Sequence, residues 1–123
     1  MTQDQKFIDA MHQAVADKGE DFEYPNTRCE YQTKGPNPTN PTRCLIGEAL
    51  HRVGHEYNES WEMYLADTLL SKLGYSFSVA QAARRAQHAQ DRKETWGTAI
   101  ELFDKFLALS SEQQEDQVFK GIF

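Results

Sequence analysis

The chain has 123 residues, 39% hydrophobic, 26% charged and 11% aromatic, with a formal net charge of -6. One domain fits that length, and folding hides roughly two-thirds of the extended chain's surface, enough for a core without disulfide or metal staples. The aromatic content excludes wholesale disorder, no apolar run approaches the roughly 18 residues of a membrane span, and the acidic balance disfavours a broad nucleic-acid footprint.

Phe7, Ile8, Met11, Ala14 and Val15 recur at three- and four-residue spacing and predict a helix over 3–18. Thr2 or Asp4 caps its start and Gly19 stops it. No basic start leads into an apolar run at Met1-Thr2-Gln3-Asp4-Gln5, so no secretory signal is expected and the protein reads as cytoplasmic.

From Glu20 to Thr42 the character changes. Phe22, Tyr24, Cys29 and Tyr31 stand among polar residues and predict a small extended or hairpin element near 22–32. Lys34-Gly35-Pro36-Asn37-Pro38 and Asn40-Pro41 predict a loop over 33–42, because each proline biases its predecessor to extended geometry.

A second helix is expected over 43–53, opened by Thr42, with Leu45, Ile46, Ala49, Leu50 and Val53 on its apolar face and Gly54 at its end. Gly47 inside it costs up to about 1 kcal/mol against Ala and makes sense where another backbone, the Cys29–Tyr31 stretch, crosses. A third helix is expected over 59–73 with Trp61, Tyr64, Leu65, Leu69 and Leu73 inward, and a fourth over 79–90, capped by Ser78. The apolar face of the fourth is nearly all alanine (Ala82, Ala83, Ala86, Ala89), which suits close helix packing. A fifth covers 95–109 with Trp96, Ala99, Ile100, Phe103, Phe106 and Leu107; Gln90-Asp91 is read as its cap. Ser110-Ser111 before Gln113-Gln114 is a capping-box pattern and opens a short last helix. The expected fold is one compact, mainly α domain of five to six helices spanning 1–123, with the extended element near 22–32.

Common catalytic and phosphate-binding motifs are absent from the sequence, so a non-enzyme without cofactor is expected. Cys29, Cys44, His51 and His55 are the most chemical-looking set. His51 and His55 have the four-residue spacing of zinc ligands, but Gly54 interrupts the helix between them, and the cysteines stand too far apart for a usual zinc pair. Cys44 at a helix start, beside Arg43, is also a candidate reactive thiol. The bland alternative is two buried free thiols, a disulfide between them being disfavoured in a reducing cytoplasm. Arg84, Arg85, His88, Arg92 and Lys93 form a candidate basic patch for nucleic acid, although Gln87-His88-Ala89-Gln90-Asp91 stands where a helix-turn-helix needs its turn. Trp61, Tyr64 and Trp96 are candidates for a small-molecule pocket, more ordinarily core.

Tyr24-Pro25, Cys29-x-Tyr31 and Cys44-Leu45-Ile46-Gly47-x-Ala49-Leu50-x-Arg52-x-Gly54, followed by Ala86-Gln87-x-x-Gln90-Asp91-x-x-x-x-Trp96-Gly97, resemble a group of small uncharacterised proteins of actinobacterial bacteriophages. The resemblance covers residues 5–100 and implies a phage-encoded protein at work in the cytoplasm of an infected bacterium. It brings no activity with it. The expected function is therefore binding of a host or phage protein, with Lys34 and Asn37 in the loop, His55 and Tyr57 in the 55–59 connection, and Arg84, Arg85 and His88 on the fourth helix as contact residues. Self-association is a further expectation, through the apolar end Val118, Phe119, Ile122 and Phe123.

Overall fold

The computed structural model describes residues 1–25, 30–32 and 43–121. Lys34, Asn37, Cys29, Ile122 and Phe123 therefore lie outside the described residues, as does the 33–42 stretch.

Helix α1 is Gln3–Lys18, and the Thr2 hydroxyl caps it by accepting the Gln5 N–H at 3.1 Å. Its buried side chains are Phe7, Met11, Ala14 and Val15, and Gly19 at φ 96° turns the chain away. Helix α2, Leu45–Arg52, is short and largely buried, which places it inside the core as its composition demanded. Arg52 reaches from it to Asp17 on α1 at 2.6 Å and to Glu48 at 3.2 Å, joining the two helices at the surface.

The single helix expected over 59–73 is two pieces. Glu59–Met63 is a 3₁₀ turn, Tyr64 and Leu65 are extended, and helix α3 begins afresh as Ala66–Lys72. Buried side chains impose the break. The Tyr31 hydroxyl donates to the Tyr64 carbonyl at 2.7 Å, and the Gln87 side-chain oxygen accepts the Ala66 N–H at 2.7 Å. Both backbone groups are thus satisfied without a continuous helix.

Helix α4 is Phe77–Asp91, and its N-cap is Ser76, not Ser78. The Ser78 hydroxyl instead donates to Gln114 of the last helix at 2.6 Å. Ala82, Ala83, Ala86 and Ala89 are all buried, and α4 packs most extensively on α5 and next on α3. Small side chains permit that close approach. Helix α5, Trp96–Leu107, is capped by Thr95, and its first two amides leave the helix altogether: Trp96 N–H donates to the Phe22 carbonyl and Gly97 N–H to the Glu20 carbonyl, each at 2.8 Å. Gln90 does not cap α5 as expected. Its side-chain oxygen accepts the Leu45 N–H at 2.9 Å and so caps α2, where the Cys44 side chain makes no capping bond.

Helix α6, Ser111–Lys120, opens with the Ser110–Gln113 capping box and ends at left-handed Gly121. Gln114 is its buried anchor, donating to the Phe106 carbonyl at 3.1 Å. Among the described residues no strand forms; residues 22–25 and 30–32 are irregular. Residues 30–32 nonetheless cross α2 where expected: a Cβ added to Gly47 would lie 2.1 Å from the Tyr31 carbonyl oxygen.

Candidate functional site

Among the described residues, the expected contact residues fall in the 55–59 connection and on α4. His55 and Tyr57 come together around Trp61 in an aromatic corner between α2 and the 3₁₀ turn. Tyr57 meets the indole edge-on at 5.6 Å and His55 does so at 6.4 Å; Tyr75 packs on the other side of His55 at 5.7 Å. A single carboxylate ties the corner down. Glu62 accepts the Tyr57 hydroxyl at 2.7 Å and the backbone N–H groups of Tyr31 and Gln32 at 3.2 and 3.3 Å. Arg43 in turn donates to the Gln32 side chain at 3.3 Å. Residues 32 and 43, which bracket Lys34 and Asn37 in sequence, therefore stand at this corner. Burial and the Glu62 carboxylate push the Tyr57 hydroxyl well above the ordinary tyrosine range, so it stays a neutral donor.

His55 Nε2 shares a 2.9 Å hydrogen bond with the Tyr75 hydroxyl, and burial among the rings lowers its pKa below the ordinary 6.5. The folded state therefore binds its proton less readily than the unfolded state does. Stability carried by neutral His55 is complete above about pH 6.5 and is lost as pH falls through that value toward the depressed one. Thermal unfolding between pH 7.5 and 5 should show a smaller loss for His55→Gln than for the parent chain. Equal losses would remove His55 as the cause.

The arginines of α4 are placed differently. Arg85 is 3% exposed, lies over the Phe106 ring at 4.3 Å and donates to the Gln81 carbonyl and side chain. Burial, with Arg84 beside it, pulls its pKa down. It presents no charge to solvent. Arg84 and His88 share a half-buried face one turn apart, Lys93 donates to the Pro25 carbonyl at 3.2 Å, and only Arg92 and Lys93 of the five basic residues are exposed. Of the candidate local basic patch, Arg85 is thus turned into the core and Arg92 and Lys93 face solvent.

Among the described residues of the metal and thiol candidate, Cys44, His51 and His55 are placed apart. Cys44 is disulfide-bonded and fully buried, against the expectation of a free thiol. His51 is exposed on the last turn of α2, whereas Gly54 at φ 97° turns His55 toward Tyr75. No group of three metal-ligating side chains occurs among the described residues. Trp61, Tyr64 and Trp96 also make separate contacts: Trp96 packs edge-on against Phe22 at 4.7 Å, and Tyr64 lies under Lys72.

Of the side chains that most shape this region, Glu62 and Gln87 were not singled out from sequence as ligands of the backbone, and Gln90 was assigned to the start of α5 where it caps α2. Gln87 and Gln90 carried a signal. They fall four residues after Ala83 and Ala86, on the alanine stripe of α4, where a polar side chain must find a buried partner.

The geometry defines a mainly α class of protein: among the described residues, six α-helices surround one core with an aromatic corner at one edge. No protein-family model, curated protein or solved structure matches the chain. No helix among the described residues is long and apolar enough to cross a membrane.

Proposed function

We propose that this is a non-enzymatic, phage-type protein that binds a host or phage protein and modulates its activity. The observation that carries the reading is the aromatic corner. His55 and Tyr57 are half-exposed, held in place by Glu62 and Tyr75, and tied through Glu62 to the backbone of Tyr31 and Gln32. Aromatic side chains that are already ordered bind at little entropic cost, which is why they are enriched at protein interfaces.

Affinity capture from nuclease-treated lysate of infected cells tests the reading. One protein should be enriched by the parent chain, with retention reduced at least about tenfold by the Tyr57→Ala, His55→Ala double variant, the loss expected when hot-spot contacts worth about 1.4 kcal/mol go. Enrichment that the double variant leaves unchanged would overturn the site, and an empty eluate would overturn the function. The bacterial cytoplasm implied by the resemblance is tested separately, because a reducing compartment keeps thiols free. Two alkylatable thiols in protein taken directly from cells support the cytoplasm, whereas none places the chain in an oxidising compartment.

A further inference from the structure

His55 and Tyr75 hold the same position in two helix endings. Each follows a glycine with positive φ, Gly54 at 97° and Gly74 at 91°. Each returns its N–H to the helix it leaves, His55 to the Leu50 carbonyl at 3.1 Å and Tyr75 to the Leu70 carbonyl at 3.0 Å. The backbone is thus fixed on both sides. The two side chains clasp the end of α2 to the junction of α3 and α4 through the 2.9 Å hydrogen bond shared by His55 Nε2 and the Tyr75 hydroxyl. Tyr75 is the fixed half of the clasp, because it is 6% exposed and packs on Phe7 of α1 at 5.2 Å. His55 is half-buried and has the Trp61 indole on its other side at 6.4 Å.

We propose that this clasp is a latch opened by acid: protonation moves the His55 ring out from between Tyr75 and Trp61 into water, while Tyr57 stays on its Glu62 tether. A neutral imidazole carries one donor and one acceptor nitrogen, which suits a single hydroxyl partner and two flanking rings. A protonated one carries two donors and a full charge, and its site offers that charge no carboxylate. Among the described residues the ring makes no hydrogen bond or ion pair with a charged side chain, and burial lowers its pKa. The charged groups on the surrounding elements are committed elsewhere. Asp4 of α1 accepts the Ser76 N–H, Arg52 of α2 pairs with Asp17 and Glu48, Glu62 holds Tyr57, and Lys72 of α3 lies over Tyr64. His51, Glu56 and Glu59 are exposed, where water and salt screen their charge. A half-buried ring reaches water by rotating about its own side-chain bonds, so the latch opens without breaking the Leu50 contact that holds its backbone.

Proton NMR of the whole chain between about pH 7.5 and about pH 5 tests this, because the four histidines and two tryptophans give separate signals. Nuclear Overhauser contacts from the His55 ring to Tyr75 and Trp61 should be present at the upper pH and lost at the lower, with a midpoint below 6.5. The Tyr57–Trp61 contact and the Trp96–Phe22 contact should survive, since neither involves His55. In His55→Gln the Trp61 indole signal should stay fixed over the same range. His55 contacts that persist once its ring is protonated overturn the latch, as does a His55 midpoint at or above 6.5. So does loss of the Trp96–Phe22 contact at the same midpoint, which means global unfolding, or a Trp61 signal that still moves in His55→Gln.

Control of partner binding by this latch rests on the corner being the contact surface, and the two readings fail separately. A captured protein should lose at least about tenfold in retention when the wash moves from the upper pH to the lower. Unchanged retention beside an NMR-visible opening overturns the corner as the contact surface and leaves the latch standing.

Discussion

Gly47→Ala should destabilise the protein by at least about 3 kcal/mol, the scale of severe core overpacking. On an exposed helix the same change gains up to about 1 kcal/mol, because Ala is the better helix former. Here the sign reverses. The new methyl would stand 2.1 Å from the Tyr31 carbonyl oxygen and 2.6 Å from its Cα, both backbone atoms that no rotamer change can move aside. Either α2 or residues 30–32 must shift, and those residues are held by Glu62, by Gln87 and by the bond from Cys44 N–H to the Glu30 carbonyl. Urea denaturation of parent and variant measures the difference. A neutral or stabilised variant would mean that the chain does not cross α2 at this point.

The second large effect is expected at Gln87. Its oxygen accepts the Ala66 N–H, its nitrogen donates to the Tyr31 hydroxyl at 3.1 Å, and the residue is 3% exposed. Gln87→Leu keeps the volume roughly constant while stranding a buried amide and removing one partner of a buried hydroxyl. An unsatisfied buried donor costs about 1–3 kcal/mol, so a loss of about 2–4 kcal/mol is expected for the pair of bonds. Denaturant unfolding again provides the measurement. A loss below about 0.5 kcal/mol, ordinary for a surface change, would show that the α3 start is satisfied in another way.

These residues also mark where the sequence could be read and where it could not. Thr2 with Gly19, and Ser110 with Gln113, act within one helical turn, so the ends of α1 and the start of α6 were legible. Gly47 was legible for a different reason: a costly residue in a strongly apolar helix implies a backbone close by. The break at Tyr64–Leu65 was not. The groups that impose it come from Tyr31 and Gln87, 33 and 21 residues away, and no local pattern announces them. The α4 cap slipped from Ser78 to Ser76 because two serines offer equivalent local chemistry, and only the distant Gln114 decides which one is recruited elsewhere.

The candidate site was legible in part. His55 and Tyr57 sit together as their near-neighbour positions suggest, but Glu62, the group that orders them, reads as one more surface acid. Arg85 shows the opposite failure. It was grouped with Arg84 by charge, whereas its spacing from Ala82 and Ala89 sets it on the buried stripe, where Phe106 and Gln81 receive it.

The caps supplied by Gln87 and Gln90 bear on how the molecule breathes. Helices of eight and seven residues are too short to persist alone. The first turns of α2 and α3 are completed by side chains of α4 instead of by their own flanking residues. Neither short helix can fray from its start independently, because losing its cap means losing its hold on α4. The amides of Leu45 and Ala66 are thereby coupled to one opening event. A stretch of sequence that looks like three separate helices should therefore exchange hydrogen with solvent as one cooperative unit, which amide exchange at Leu45 and Ala66 measures.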